Sequence, residues 1–147
     1  MQRLIGKKVY FDVNVFIYAL EPNATMQACF AAVSRLFAMA QTMTIHAMTS
    51  ELTLAEALVG AYKNNQPLVK LYEALISNRA ELAVYPVDRN ILTTAALLRS
   101  QQKIALADAI HVATALNHQA NFLITQDKRL LTGDSVQKLT LDDLLIP

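Results

Sequence analysis

Cysteine occurs once, at Cys29, and tryptophan not at all; glycine occurs three times and proline four times in 147 residues. A single thiol excludes a disulfide scaffold and fits a reducing cytoplasm, where this sequence is expected to reside. Few glycines and prolines leave little punctuation, so long elements joined by short loops are expected. Charged residues make up only 17% of the chain, and 13 basic against 12 acidic residues leave a formal net charge of +1. That balance excludes attraction to nucleic acid through bulk charge; such a role has to rest on local basic patches or on a metal. No apolar run is long enough to span a bilayer, so no membrane role is expected. The opening stretch MQRLIGKKVYFDV carries Asp12 within its apolar segment and lacks a cleavage site, which argues against a signal peptide.

What is present in quantity is apolar side chain, at 54% of residues, with a mean hydropathy of +0.28. Low hydrophobicity and high net charge mark disorder, and this chain has neither. A chain of this length buries roughly 68–70% of its unfolded surface and needs no structural metal to fold. Its length suits one domain over residues 1–147. The excess of apolar residues points to a deeply buried sheet or to a surface covered by a partner.

Apolar periodicity divides the chain into alternating strands and helices. Lys8–Asp12, Thr42–His46, Leu82–Val87, Phe122–Thr125 and Val136–Leu139 read as strands, the third placed at an end or edge by Pro86. Helical spacing covers Val15–Leu20, Ala24–Ala40, a stretch opened by Ser50 and running to Asn64, Pro67–Ser77, Arg89–Gln102 behind the cap Asp88, and Ala107–His118. Pro22 and Asn23 separate the first two helices, and Asp127–Leu131 reads as a turn. Continuous apolar strands between helices indicate an α/β fold, a mostly parallel central sheet flanked by helices on both sides. Ligands in such sheets bind beyond the carboxyl ends of the strands, near the reversal of strand order.

Four acids stand out by position. Asp12 closes the first strand and Asp127 follows the FLIT strand. Glu56 borders the stripe of Leu52, Ala55, Val59 and Tyr62, and Asp108 lies beside the broad apolar face of its helix. Taken singly, Asp108 also fits a first-turn acid favoured by the helix dipole, Asp127 a loop cap, and Glu56 a solvent-facing border residue. Asp12 is different, because a strand end is a poor place for an idle acid. Gathered at one mouth of the sheet, the four would repel one another, and a hard divalent cation would relieve that repulsion. Oxygen ligands select Mg²⁺ or Mn²⁺ over zinc. His111 and His118 are spaced seven apart, not four as in a zinc pair, and read as polar helix-face residues. Cys29 reads as a small core residue, and Tyr18 and Tyr62 as either packing or base-stacking groups.

In four blocks the chain resembles the PIN-domain nucleases, and within them the VapC-type toxins of toxin–antitoxin pairs. VYFDVNVFIYAL is similar to the opening strand with its first acid, here Asp12, and a polar companion, here Asn14. TSELTLAEAL, KIALADAIHVATAL and NFLITQDKRL resemble the second, third and fourth blocks, placing acids at Glu56, Asp108 and Asp127, with Thr125 two residues before the last. The companion Asn14 stands where threonine or serine is commoner. The resemblance implies a Rossmann-like α/β/α domain and an endoribonuclease using Mg²⁺ or Mn²⁺. It implies that Asp12 and Asp108 are the main metal ligands, completed by Glu56 and Asp127, and that water activated at this cluster hydrolyses RNA phosphodiesters. It also implies a small antitoxin as partner. A homodimer is expected as well, since excess apolar surface serves either association.

Arg99, Lys103, Lys128 and Arg129 are candidates for guiding an RNA backbone, although the usual reading of such charges is a solvated face. Helix 24–40, with Leu52, Leu54, Leu58 and Tyr62, offers a candidate groove for an antitoxin helix. Three alternatives stand beside this reading. A phosphatase of the haloacid-dehalogenase type would use Asp12 as nucleophile, but has a second Asp where Asn14 stands. A PIN-like ribonuclease of housekeeping RNA processing would lack an antitoxin, and a PIN-like binding module would lack activity. Setting the four acids aside leaves eight acidic against 13 basic residues, a modestly basic surface around an acidic pocket.

Overall fold

The computed structural model describes residues 1–21, 27–130 and 132–145. Five strands are present among them: β1 (Lys8–Phe11), β2 (His46–Ser50), β3 (Ala83–Tyr85), β4 (Phe122–Ile124) and β5 (Gln137–Leu139). Six helices connect and follow them: α1 (Val13–Leu20), α2 (Gln27–Gln41), α3 (Glu51–Asn64), α4 (Leu68–Leu75), α5 (Arg89–Gln101) and α6 (Leu106–Asn117). Single 3₁₀ turns lie at Gln2–Leu4 and Asp142–Leu144. No described helix is long and apolar enough to cross a membrane.

All strand pairs are parallel, in the order β3-β2-β1-β4-β5. The chain therefore builds outward from β1 in one direction, then returns to pair β4 with β1 on the other side (Phe11 opposite Ile124). The reversal falls between β1 and β4, and the crevice beyond their carboxyl ends is where such a sheet binds ligands.

Alternation along each strand sends side chains to two different layers. Val9 and Phe11 join the larger core with Val15 and Phe16 of α1, Val33 and Leu36 of α2, Ala57 and Ala61 of α3 and Tyr72 of α4. Tyr10, Met48 and Leu123 face the opposite way and pack on Val112 and Ala115 of α6. Helices α5 and α6 close on each other through Ile91, Ala95, Ala109 and Ala113. The small alanines let the two helices approach closely.

The helix starts follow local chemistry. Ser50 caps α3 by accepting from the Leu52 amide, and Asp88 caps α5 by accepting from the Ile91 amide. Of the helix expected over Ala24–Ala40 the described residues show Gln27–Gln41; Ala24 and Met26, like Pro22, Asn23 and Leu131, lie outside the described residues. The expected strand Thr42–His46 is displaced to His46–Ser50. The cause is a Schellman turn ending α2: the Met43 amide donates to the Ala40 carbonyl and the Thr44 amide to the Met39 carbonyl. Met43 adopts a positive φ of 55° there. The same motif ends α6, with Gln119 at φ 59° and the Ala120 amide donating to Ala115. A chain with three glycines places a methionine and a glutamine where glycine is usual, so the turn left no mark for sequence reading.

Candidate active site

Asp12 sits at the junction of β1 and α1. Its own amide still donates to the Ile124 carbonyl of β4, while its side chain caps α1. Oδ1 accepts from the Val13 amide at 2.7 Å. Oδ2 accepts from Thr125 Oγ1 at 2.6 Å and from Asn14 Nδ2 at 3.3 Å. Asp12 is buried, and these three donors offset the cost of keeping a carboxylate there. Thr125, completely buried at the end of β4, also accepts from the Asp127 amide at 3.0 Å. One hydroxyl thus ties the first acid to the loop that carries the last. Asp127 Oδ1 in turn accepts from the Arg129 amide at 2.8 Å.

Glu56 reaches the same crevice from α3, and Asp108 comes from the first turn of α6. Burial raises the Asp108 pKa, and the charges of Asp127, Asp12 and Glu56 add to the rise against the opposing His111. Asp108 therefore feels the charges of the other three acids. Among the described residues, the group whose donor atoms all lie within 4.8 Å of one another is Asp12, Glu56 and His111.

His111 corrects the expectation of a polar helix-face residue. It is buried at 3% exposure, with Nε2 2.7 Å from Glu56 Oε2 and 3.7 Å from Asp12 Oδ1. Nδ1 lies 2.7 Å from the hydroxyl of Tyr10, itself fully buried. Burial alone would lower the His111 pKa, but the Glu56 hydrogen bond and the charges of Asp12, Glu56 and Asp108 raise it overall. The signal that could have found it was its spacing: three residues after Asp108 on one helix, it shares that face. His118 does something else. It caps the end of α6 and stacks on Tyr85, with centroids 3.4 Å apart and planes 8° from parallel.

The basic candidates separate. Arg99 donates to the Ile104 carbonyl at 2.7 Å and so holds the α5–α6 connection. Lys103 is exposed beside it. Lys128 and Arg129 follow Asp127 directly, and the Arg129 side chain is 93% exposed with Nε 3.5 Å from Asp127 Oδ1. Lys128 lies 3.8 Å from Asp142. Tyr18 and Cys29 are core residues, whereas Tyr62 is exposed.

An apolar groove of about 430 Å³ lies on the larger core's side of the sheet, lined by Ala19 and Leu20 of α1, Phe30, Val33 and Phe37 of α2, and Leu75 and Leu82. This differs from the groove expected between α2 and α3. Leu54 and Leu58 of α3 pack on the core, and Leu52 packs on the α5–α6 cluster.

The family model described as "PIN domain" matches residues 9–134. The chain belongs to the PIN domain family. This PIN domain is also similar in fold to several solved structures. A toxin–antitoxin complex from Klebsiella pneumoniae matches with 22% identity and a TM-score of 0.62, over 90% of this chain and 97% of that one. DNA-bound VapBC from Salmonella typhimurium matches with 16% identity and a TM-score of 0.67, over 92% and 98%. VapC20 of Mycobacterium tuberculosis, a sarcin-ricin loop cleaving toxin, matches with 13% identity and a TM-score of 0.61, over 78% and 86%. No curated protein matches the sequence. Family membership sets aside the phosphatase alternative.

Proposed function

We propose that residues 1–147 form one PIN domain acting as a cytoplasmic, Mg²⁺- or Mn²⁺-dependent endoribonuclease, the toxin of a toxin–antitoxin pair. The observation that supports this reading is the pair Asp12 and Glu56 beyond the end of β1, with Asp108 close enough to feel both of them and Asp127. Burial raises the pKa of Asp108, and the charges of Asp127, Asp12 and Glu56 raise it further. A donor set of hard oxygens with surplus negative charge fits a hard divalent cation. Asp12, Glu56, Asp108 and Asp127 would hold it. When bound, such a cation supplies positive charge for a phosphate undergoing attack and lowers the pKa of water.

The chain's own residues do the rest. Thr125, Asn14 and the Val13 amide orient Asp12 before any ligand arrives, so little reorganisation is needed. Arg129 and Lys128 flank Asp127 at the rim and suit the approach of an RNA backbone. The α1–α2 groove, on the far side of β1 from Tyr10, is rimmed by Arg79 and Glu81 and suits an apolar helix face of a small antitoxin. Relatives of this fold are solved as toxin–antitoxin complexes, which supports that partner. Val59 and Tyr62, both more than half exposed on α3, offer a separate apolar surface for a homodimer.

The test is purified protein on total RNA and tRNA with Mg²⁺, Mn²⁺ or EDTA, beside Asp12→Asn. Cleavage that needs the cation and drops at least about a hundredfold in the folded variant is expected. Undiminished cleavage by folded Asp12→Asn, or cleavage in EDTA, would refute the reading.

A further inference from the structure

Asp12, Glu56 and His111 present three donor atoms within 4.8 Å, which invites His111 to be counted as a nitrogen ligand. The hydrogen bonds around the ring argue the opposite. Tyr10 is fully buried, and a phenol carries its proton at neutral pH. Its hydroxyl stands 2.7 Å from Nδ1 and can donate to it. On the other side, Nε2 stands 2.7 Å from Glu56 Oε2, the distance of a charge-assisted N–H···O bond. A bare ring nitrogen and a carboxylate oxygen at that distance would oppose two lone pairs. A hydrogen on Nε2 satisfies both contacts at once, and the Tyr10 hydroxyl selects that tautomer.

We infer that His111 is a positioning residue: its Nε2–H holds Glu56 toward the crevice, Tyr10 fixes the ring's tautomer, and neither ring nitrogen binds the cation. The Tyr10–His111–Glu56 chain runs from the sheet through α6 to α3, three elements far apart in sequence. It gives Glu56, the least enclosed member of the triad at 31% side-chain exposure, a fixed orientation that its own helix does not supply. Outer partners of this kind commonly change metal affinity or activity by about 10–100-fold. This inference rests on the reading of the acids as a cation site.

The test joins spectroscopy with binding, both on the full chain. Long-range ¹H–¹⁵N correlation of wild-type protein is expected to show the Nε2-protonated pattern for His111, unchanged at saturating Mg²⁺. Calorimetric Mn²⁺ titration is expected to place His111→Gln, which keeps an N–H near Nε2, within about threefold of wild type, and His111→Leu about tenfold weaker or more. With RNA, His111→Leu should lower kcat more than it changes KM. Loss of the Nε2 proton on adding Mg²⁺, or equal weakening by Gln and Leu, makes His111 a ligand and overturns the inference alone. A wild-type chain that binds no Mn²⁺ at millimolar concentration overturns it together with the nuclease reading. If His111→Leu fails to fold by circular dichroism, the wild-type spectra and His111→Gln decide.

Discussion

Thr125 donates to Asp12 Oδ2 at 2.6 Å, across two neighbouring parallel strands and 113 positions of sequence. The Thr125 hydroxyl oxygen itself accepts from the Asp127 amide, so this one group serves both ends of the site. Thr125→Val keeps the shape and removes the hydroxyl. Asp12 then loses a donor in a buried place, and the Asp127 amide loses its acceptor. Stability should fall by about 1–3 kcal/mol in urea titration. Any cation-dependent cleavage should fall about 10–100-fold. Unchanged cleavage would mean that Asp12 needs no support from Thr125.

Asp108 should show a conflict between stability and activity. Its folded-state pKa is raised, first by burial and then by Asp127, Asp12 and Glu56. Between the ordinary carboxylate value and the raised one, the native state binds more protons than the unfolded state. Metal-free stability therefore declines as pH rises through that window, and the penalty is complete above the raised value. Asp108→Asn removes it. Thermal denaturation in EDTA at neutral pH should show the variant higher by roughly 1–3 °C. Cleavage should be lost in the same variant. A lower Tm would mean that the carboxylate is structurally required.

Gln119 ends α6 at φ 59°, a conformation that costs a side-chain-bearing residue free energy and costs glycine little. Gln119→Gly should stabilise the protein by about 0.5–1 kcal/mol, measured by urea denaturation, with cleavage unaffected. A loss of stability would show that the Gln119 side chain contributes more than its backbone strain removes.

Phe30 lines the α1–α2 groove and is 40% exposed, so a change there should leave the fold standing. Phe30→Glu places a charge in the groove that an apolar helix would have to bury. Co-purification with a co-expressed antitoxin should fall at least about tenfold, while RNA cleavage by the free variant persists. Retained co-purification would place the partner elsewhere.

Periodicity and residue type alone determined most of the architecture. Continuous apolar strands between amphipathic helices specify a covered parallel sheet, and Ser50 and Asp88 announce their helices because capping is a local hydrogen bond. The positions of Asp12, Glu56, Asp108 and Asp127 were legible as unusual acids within matching blocks. Local signals failed where the determinant was not local. The α2 stop at Met43 depends on a positive φ that methionine does not advertise, so β2 lies four residues beyond the stretch its apolar pattern suggests. The groove was assigned to α3 because an apolar stripe does not say which neighbour will cover it; packing turned Leu54 and Leu58 into the core and left Val59 and Tyr62 outside. His111 is the clearest case. Its chemistry depends on Tyr10, 101 positions away, and Glu56, 55 positions away. Strand order brings these together, and strand order is set by which apolar faces bury one another across the whole chain. The sequence by itself thus determined the elements and the acids, whereas only the tertiary structure decided which donors orient them.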